Sequence, residues 1–166
     1  MAPRRLIVMR HAKSAWDTLA PSDHLRPLNA RGRRDAPQVA RALVLRHWVP
    51  EAVISSDAAR TRETWEHMEA RFDDPVETTF TPALYHAGLG AVQVAVGRLG
   101  GGVRTAMVLG HNPGFEDAVA WLTGVSVRMT TGNAALLVHP GEGDWRAAVT
   151  DAGGWEIEGV VRPREL

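Results

Sequence analysis

The chain has 166 residues, a formal net charge of zero and no cysteine. That length suits a single domain over residues 1–166 with a continuous core; the balanced charge argues against a nucleic-acid binder that lives on bulk electrostatics; the missing thiols exclude disulfides and thiolate chemistry. Met1-Ala2-Pro3-Arg4-Arg5 precedes an apolar run too short for a signal peptide or a membrane span, so a cytoplasmic protein with no membrane partner is expected.

In chain order, Leu6-Ile7-Val8-Met9 reads as a buried strand that stops at Arg10-His11. Residues 15–27 have no clean period and form a loop over that strand end. Asn29 is a plausible N-cap for a helix to about Trp48, with a kink or a late start expected at Pro37. Ala52-Val53-Ile54-Ser55 is a second strand, after which Asp57 is expected to cap a helix reaching about Phe72. A third strand falls at Val76 to Phe80, and a helix from about Gly90 to Leu99 ends at Gly100-Gly101-Gly102. Thr105 to Leu109 is a fourth strand that stops at Gly110-His111-Asn112-Pro113-Gly114, with Pro113 suited to the first helical position of the segment to Leu122. Ala134 to His139, Trp145 to Thr150 and Trp155 to Val161 read as three strands of an antiparallel meander. Together these predict a three-layer α/β/α sandwich with a mixed, mostly parallel sheet and an antiparallel C-terminal edge.

In such a sheet the carboxyl ends of parallel strands share one rim, where ligands bind. Arg10 and His11 follow the first strand, Arg60 opens the helix after the second, and His111 follows the fourth. Two arginines and two histidines converging there make an anion pocket, because guanidinium forks match phosphate oxygens and helix N-termini add N–H groups.

Arg10-His11-Ala12-Lys13-Ser14 resembles the Arg-His-Gly signature of the histidine phosphatase superfamily. Arg26-Pro27-Leu28-Asn29 with Arg31-Gly32, Ser55-Ser56-Asp57-Ala58-Ala59-Arg60 with Thr64, and Val108-Leu109-Gly110-His111-Asn112-Pro113-Gly114 resemble its SixA-type phosphohistidine phosphatases. The likeness spans roughly Leu6 to Gly124 with the motifs in order. It implies a covalent phosphohistidine mechanism without metal or other cofactor, His11 as nucleophile, and Arg10, Arg60 and His111 as phosphate-binding residues.

A histidine nucleophile must be neutral and offer one defined nitrogen. Two arginines ~5 Å away at an effective dielectric of ~20 each contribute roughly 3 kcal/mol toward the neutral form of His11, about two pKa units. Its Nδ1–H is expected to donate to a backbone carbonyl, leaving Nε2 to attack phosphorus, and His111 is expected to be cationic against the bound dianion. Where many superfamily members carry a general-acid glutamate, Pro82-Ala83-Leu84-Tyr85-His86 has no carboxylate. A leaving imidazole can depart neutral where an alkoxide cannot, which favours phosphorylated protein histidine over a small phosphorylated substrate unless His86 is the donor. Asp17 replaces the asparagine of many relatives and is expected to orient Arg10 or His11; Ser14 and Asn112 are candidate substrate contacts, and Lys13 either contacts phosphate or shapes its loop. His24, His47, His67 and His139 read as surface or structural residues, Trp16 as a pocket wall or packing, and Trp121 as packing. The alternatives are a small-molecule phosphomonoesterase and a phosphoprotein-binding module without turnover.

Overall fold

The computed structural model describes residues 3–166. Six strands form one sheet in the order β3-β2-β4-β1-β5-β6, where β1 is Arg4–Arg10, β2 Ala52–Ser56, β3 Glu77–Thr81, β4 Thr105–Gly110, β5 Ala134–His139 and β6 Glu156–Val161. The pairs β1/β4, β2/β4 and β2/β3 are parallel, and β1/β5 and β5/β6 antiparallel, as the expected mixed sheet requires. The central strands β1 and β4 are buried almost throughout, with apolar residues 6–9 and 106–109 at their middles, because helices cover both their faces.

Alternation along β1 separates two cores. Ile7 and Met9 pack with Val39, Ala40 and Leu43 of α1 (Ala30–Leu45) and Trp65 and Met68 of α2 (Ala59–Glu69). Leu6 and Val8 face Val92 and Val96 of α3 (Leu89–Gly97), Phe115, Val119 and Leu122 of α4 (Gly114–Thr123), and Trp145 and Val149 of α5 (Trp145–Val149). Among the described residues no helix is long and apolar enough to cross a membrane.

Several local expectations are corrected. The segment from Trp145 is the helix α5 rather than a strand: Asp144 accepts from Ala147 N at 2.9 Å, and Trp145, Ala148 and Val149 are buried at helical spacing, so the C-terminal edge is two antiparallel strands. α1 begins right after Asn29, whose Oδ1 accepts from Gly32 N at 2.9 Å, and runs through Pro37 to Leu45 with no late start. The carbonyl of Arg33, which Pro37 cannot reach with a hydrogen bond, belongs to a solvent-exposed residue. Asp57 does not cap α2; Ala58 holds the cap position, and the Asp57 carboxylate accepts from His24 Nε2 at 2.8 Å instead. Pro113 precedes the first helical residue of α4, standing at its cap.

Candidate active site

The register of the three central strands brings the sequence-distant residues together. Arg10 pairs with Gly110 and Ser55 with Leu109, so β1, β4 and β2 end at one level. The chain then leaves the sheet as His11, His111 and the Asp57-Ala58 turn into α2. His11 N donates to Gly110 O at 3.1 Å and His11 O accepts from Gly132 N at 2.8 Å. Ala12 N donates to Thr64 Oγ1 at 3.0 Å, and that hydroxyl donates to Arg60 O at 2.6 Å, which ties the signature loop to the first turns of α2. On the other side, α1 abuts the loop so closely that a Cβ on Gly32 would lie 2.2 Å from Lys13 O, so only glycine allows this approach.

His11 is 6 % exposed, and its ring centroid lies 5.4 Å from that of His111, which is 2 % exposed. His11 Nδ1 sits 2.7 Å from Ala12 O. A carbonyl only accepts, so Nδ1 carries the proton and Nε2 keeps its lone pair, as expected. The His11 pKa is pushed down to about 3, first by burial and then by the guanidinium groups of Arg60, Arg10 and Arg26, against the Ala12 hydrogen bond. The direction is as expected but the leading cause is not, because a sequence shows which charges converge and not how dry their meeting place is. His111 is pushed down to about 2, first by burial and then by His11 and Arg60, so in the unliganded protein it is neutral.

Arg60 is buried, and Arg10 donates from Nη1 to Met129 O at 3.1 Å. Arg10 Nε, Arg60 Nε and His111 Nδ1 are all buried without a protein partner. A buried N–H with nothing to donate to is costly, and guanidinium groups unpaired on one edge beside a neutral imidazole are a cradle shaped for an oxyanion.

The remaining expected residues divide. Asn112 Nδ2 donates to Met129 O at 2.7 Å, sharing that carbonyl with Arg10, while its Oδ1 is buried and unpartnered. Ser14 is buried, and its Oγ accepts from Arg26 Nη1. Trp16 is 74 % exposed with the Arg26 guanidinium 3.7 Å from its ring centroid, and Trp121 is partly exposed. Asp17 is exposed and makes no hydrogen bond or ion pair with Arg10 or His11.

The acidic residue of the site is Asp23, which sequence reasoning missed. Its Oδ2 accepts from Arg60 Nη2 at 3.1 Å, Tyr85 OH at 2.5 Å and His86 Nε2 at 3.0 Å, and Oδ1 accepts from Arg26 Nη2 at 3.2 Å. The Tyr85 hydroxyl, then the His86 and Arg60 contacts, hold its pKa well below the usual carboxylate range. Tyr85 and His86 in turn pack against His111, with ring centroids 5.4 and 4.9 Å away. The one sequence signal for Asp23 is its place three residues before Arg26 in a loop without periodicity. His24, expected to be surface or structural, stands at the same mouth, 4.9 Å from the Tyr85 ring. His139 is structural, donating to Asp151 at 2.8 Å. Among the described residues no three His, Cys, Asp or Glu side chains group to hold a metal ion.

The model of the histidine phosphatase superfamily, branch 1, matches residues 6–93. An uncharacterized chloroplastic protein of Arabidopsis thaliana is 40 % identical over 171 residues, covering 96 % of this chain and 78 % of its own. Among solved structures, a protein from Nakamurella multipartitia assigned provisionally as the phosphohistidine phosphatase SixA superposes with a TM-score of 0.83 at 26 % identity, covering 98 % of each chain. The protein histidine phosphatase SixA in complex with tungstate superposes with a TM-score of 0.80 at 24 % identity, over 97 % of this chain and 98 % of its own. The chain belongs to the histidine phosphatase superfamily, branch 1, with the fold of the SixA structures, and with that family it is a phosphatase acting on a phosphorylated substrate.

Proposed function

We propose that this protein is a metal-independent phosphohistidine phosphatase in which His11 takes the phosphoryl group from a protein histidine and passes it to water. The observation that carries this reading is the trio of buried, unpartnered nitrogens, Arg10 Nε, Arg60 Nε and His111 Nδ1, around an imidazole whose Nδ1 is already committed to Ala12 O.

His11 Nε2 attacks phosphorus as the bond from phosphorus to the substrate imidazole breaks. A phosphohistidine whose other ring nitrogen is protonated leaves as neutral imidazole, and His11, with Nδ1–H in place, becomes the equivalent phosphoimidazolium. Like is exchanged for like, so the step needs no acid and is nearly balanced in free energy. Water then attacks the phosphoryl group, the bond to Nε2 breaks, and dihydrogen phosphate leaves with neutral His11 restored. Arg10 and Arg60 hold the equatorial oxygens, and since phosphoryl transfer depends on positioning and electrostatics, these contacts supply most of the acceleration. A 690 Å³ cleft lined by Arg10, Asn112, Glu116, Asp117, Arg128 and Thr130 continues from the site and has room for the polypeptide that carries the histidine.

One observation favours a second reading. His86 is held through Nε2 by Asp23 with its ring centroid 4.9 Å from that of His111, so an imidazole stands beside the site even though a glutamate does not. With His86 as acid the protein would serve as a small-molecule phosphomonoesterase. A panel of phosphohistidine peptide, p-nitrophenyl phosphate and an alkyl phosphate separates the two, run on the wild type and His86→Ala. The phosphohistidine reading expects the first two to turn over, the alkyl ester to be slower by about 10²-fold or more for want of an acid, and His86→Ala to leave phosphohistidine turnover nearly unchanged. Efficient alkyl phosphate hydrolysis that His86→Ala abolishes would establish the esterase.

A further inference from the structure

Ser56, the last residue of β2, is fully buried, and the chemistry above gives it no role. Its Oγ lies 2.8 Å from His111 Nε2 and accepts from Ala58 N at 3.3 Å. Its carbonyl accepts from Ser55 Oγ at 2.8 Å and Thr61 Oγ1 at 2.7 Å, so the residue is anchored from both sides.

A neutral imidazole has one N–H and one bare nitrogen, so His111 has two choices. If Nε2 carried the proton, it would donate to Ser56 Oγ, which already receives the Ala58 N–H. The buried hydroxyl proton would then have no acceptor among the described residues, and Nδ1 would present a lone pair to an arriving anion. If Nδ1 carries the proton, the Ser56 hydroxyl donates to Nε2, the Ala58 amide is still received, and the one unpaired group left is an N–H beside His11, where an anion is wanted.

We propose that Ser56 is a positioning residue that holds neutral His111 as its Nδ1–H tautomer, so that His111 hydrogen-bonds the phosphoryl group without first gaining a proton. The groups facing His111 favour this neutral state. His11 approaches from the end of β1, Arg60 from α2, and Tyr85 and His86 from beyond β3, while the acidic group acting on it, Asp23, is itself engaged by Arg60. The cationic His111 expected from sequence is therefore replaced by a neutral donor aimed in advance. The inference rests on the reading that His111 faces the phosphoryl group.

The test is ¹⁵N NMR of the imidazole nitrogens of His111 in the unliganded wild-type protein near pH 7, with kinetics of Ser56→Ala and Ser56→Thr on phosphohistidine peptide. The expected spectrum has a protonated Nδ1 and a bare Nε2. The expected kinetics are a fall in kcat of about 10- to 100-fold for Ser56→Ala, as for other residues that orient a functional histidine, and recovery in Ser56→Thr, which keeps the hydroxyl. In Ser56→Ala the two tautomers of His111 should mix. A wild-type Nε2–H tautomer or an imidazolium overturns the inference, as does a Ser56→Ala variant that loses activity while His111 stays purely Nδ1–H. If Ser56→Thr does not fold, the wild-type spectrum and Ser56→Ala decide alone. Because the tautomer is read without substrate, a protein that has it but hydrolyses no phosphohistidine refutes the proposed substrate and leaves the Ser56 role standing.

Discussion

Asp23 holds Arg60 by two of its atoms: the backbone carbonyl accepts from Nη1 at 2.8 Å and Oδ2 from Nη2 at 3.1 Å. A guanidinium has five N–H donors in a fixed plane, so this grip uses two, fixes the plane and leaves Nε–H among those free for a ligand. An acidic side chain at the mouth of an anion site costs some attraction, and its return is a pre-aimed arginine.

Asp23→Ala should therefore lower kcat/KM on the preferred phosphorylated substrate by about 10- to 100-fold, the range of one or two lost charge-assisted hydrogen bonds. Asp23→Asn, which retains an acceptor oxygen, should fall between. If anion repulsion dominated instead, both variants would be faster than wild type in steady-state assays.

Arg60→Lys should behave much more like Arg60→Ala than like wild type. One ammonium cannot bond Asp23 with two donors and also present a planar edge to phosphate, so a loss of about 10²–10³-fold in kcat is expected. Near-wild-type turnover by the lysine variant would mean that only charge matters at this position.

The two central histidines make the fold sensitive to acid. Unfolded, each titrates from 6.5; folded, His11 stays neutral to about 3 and His111 to about 2. Between pH 6.5 and 3 the unfolded chain thus binds more protons, and unfolding free energy should fall with decreasing pH by up to ~1.4 kcal/mol per unit for each histidine. His111→Asn should remove about half of that slope in urea titrations from pH 7 to 4. The Asp23 pKa is lowered too, by its Tyr85, His86 and Arg60 contacts, so its stabilisation is present above about pH 4 and is lost as pH falls further; with its side chain 43 % exposed it contributes less than ~1 kcal/mol.

Gly114→Ala isolates the contact between α4 and the loop that carries His86. A Cβ at Gly114 would lie 2.1 Å from Ala87 O and 2.8 Å from Gly88 Cα, so the loop must move, at a cost of about 1–3 kcal/mol. Gly90, inside α3, has nothing within 4 Å of its would-be Cβ, and Gly90→Ala should stabilise by about 0.5–1 kcal/mol. Thermal melts should therefore move in opposite directions for two glycine-to-alanine changes in helices.

Much of this was legible because it rests on the backbone. Apolar runs ending in Arg10-His11 and Gly110-His111 marked strand ends, parallel pairing of β1 and β4 put those ends side by side, and Asn29 read correctly as a cap. The unread parts depend on side chains meeting across long separations. Asp23 lies 37 residues before Arg60 and 62 before Tyr85, in a loop where no period marks a face. Asp57 looked like a cap, but His24 competes for its carboxylate, and the five residues of α5 are too few for helical spacing to outweigh the β-like pattern of Trp145 and Val149. Asp17, expected to orient Arg10 or His11, faces solvent, while the carboxylate that Asp23 brings to the site fixes a different arginine, Arg60.

The most direct test of the account is to capture phosphate on His11. Wild-type protein mixed with ³²P-labelled phosphohistidine peptide, quenched in alkali within the first turnover and digested, should yield an acid-labile, alkali-stable phosphoryl group on the peptide that contains His11, and His11→Ala should yield none. Turnover at an undiminished rate with no label on that peptide, or equal labelling of His11→Ala, would contradict it.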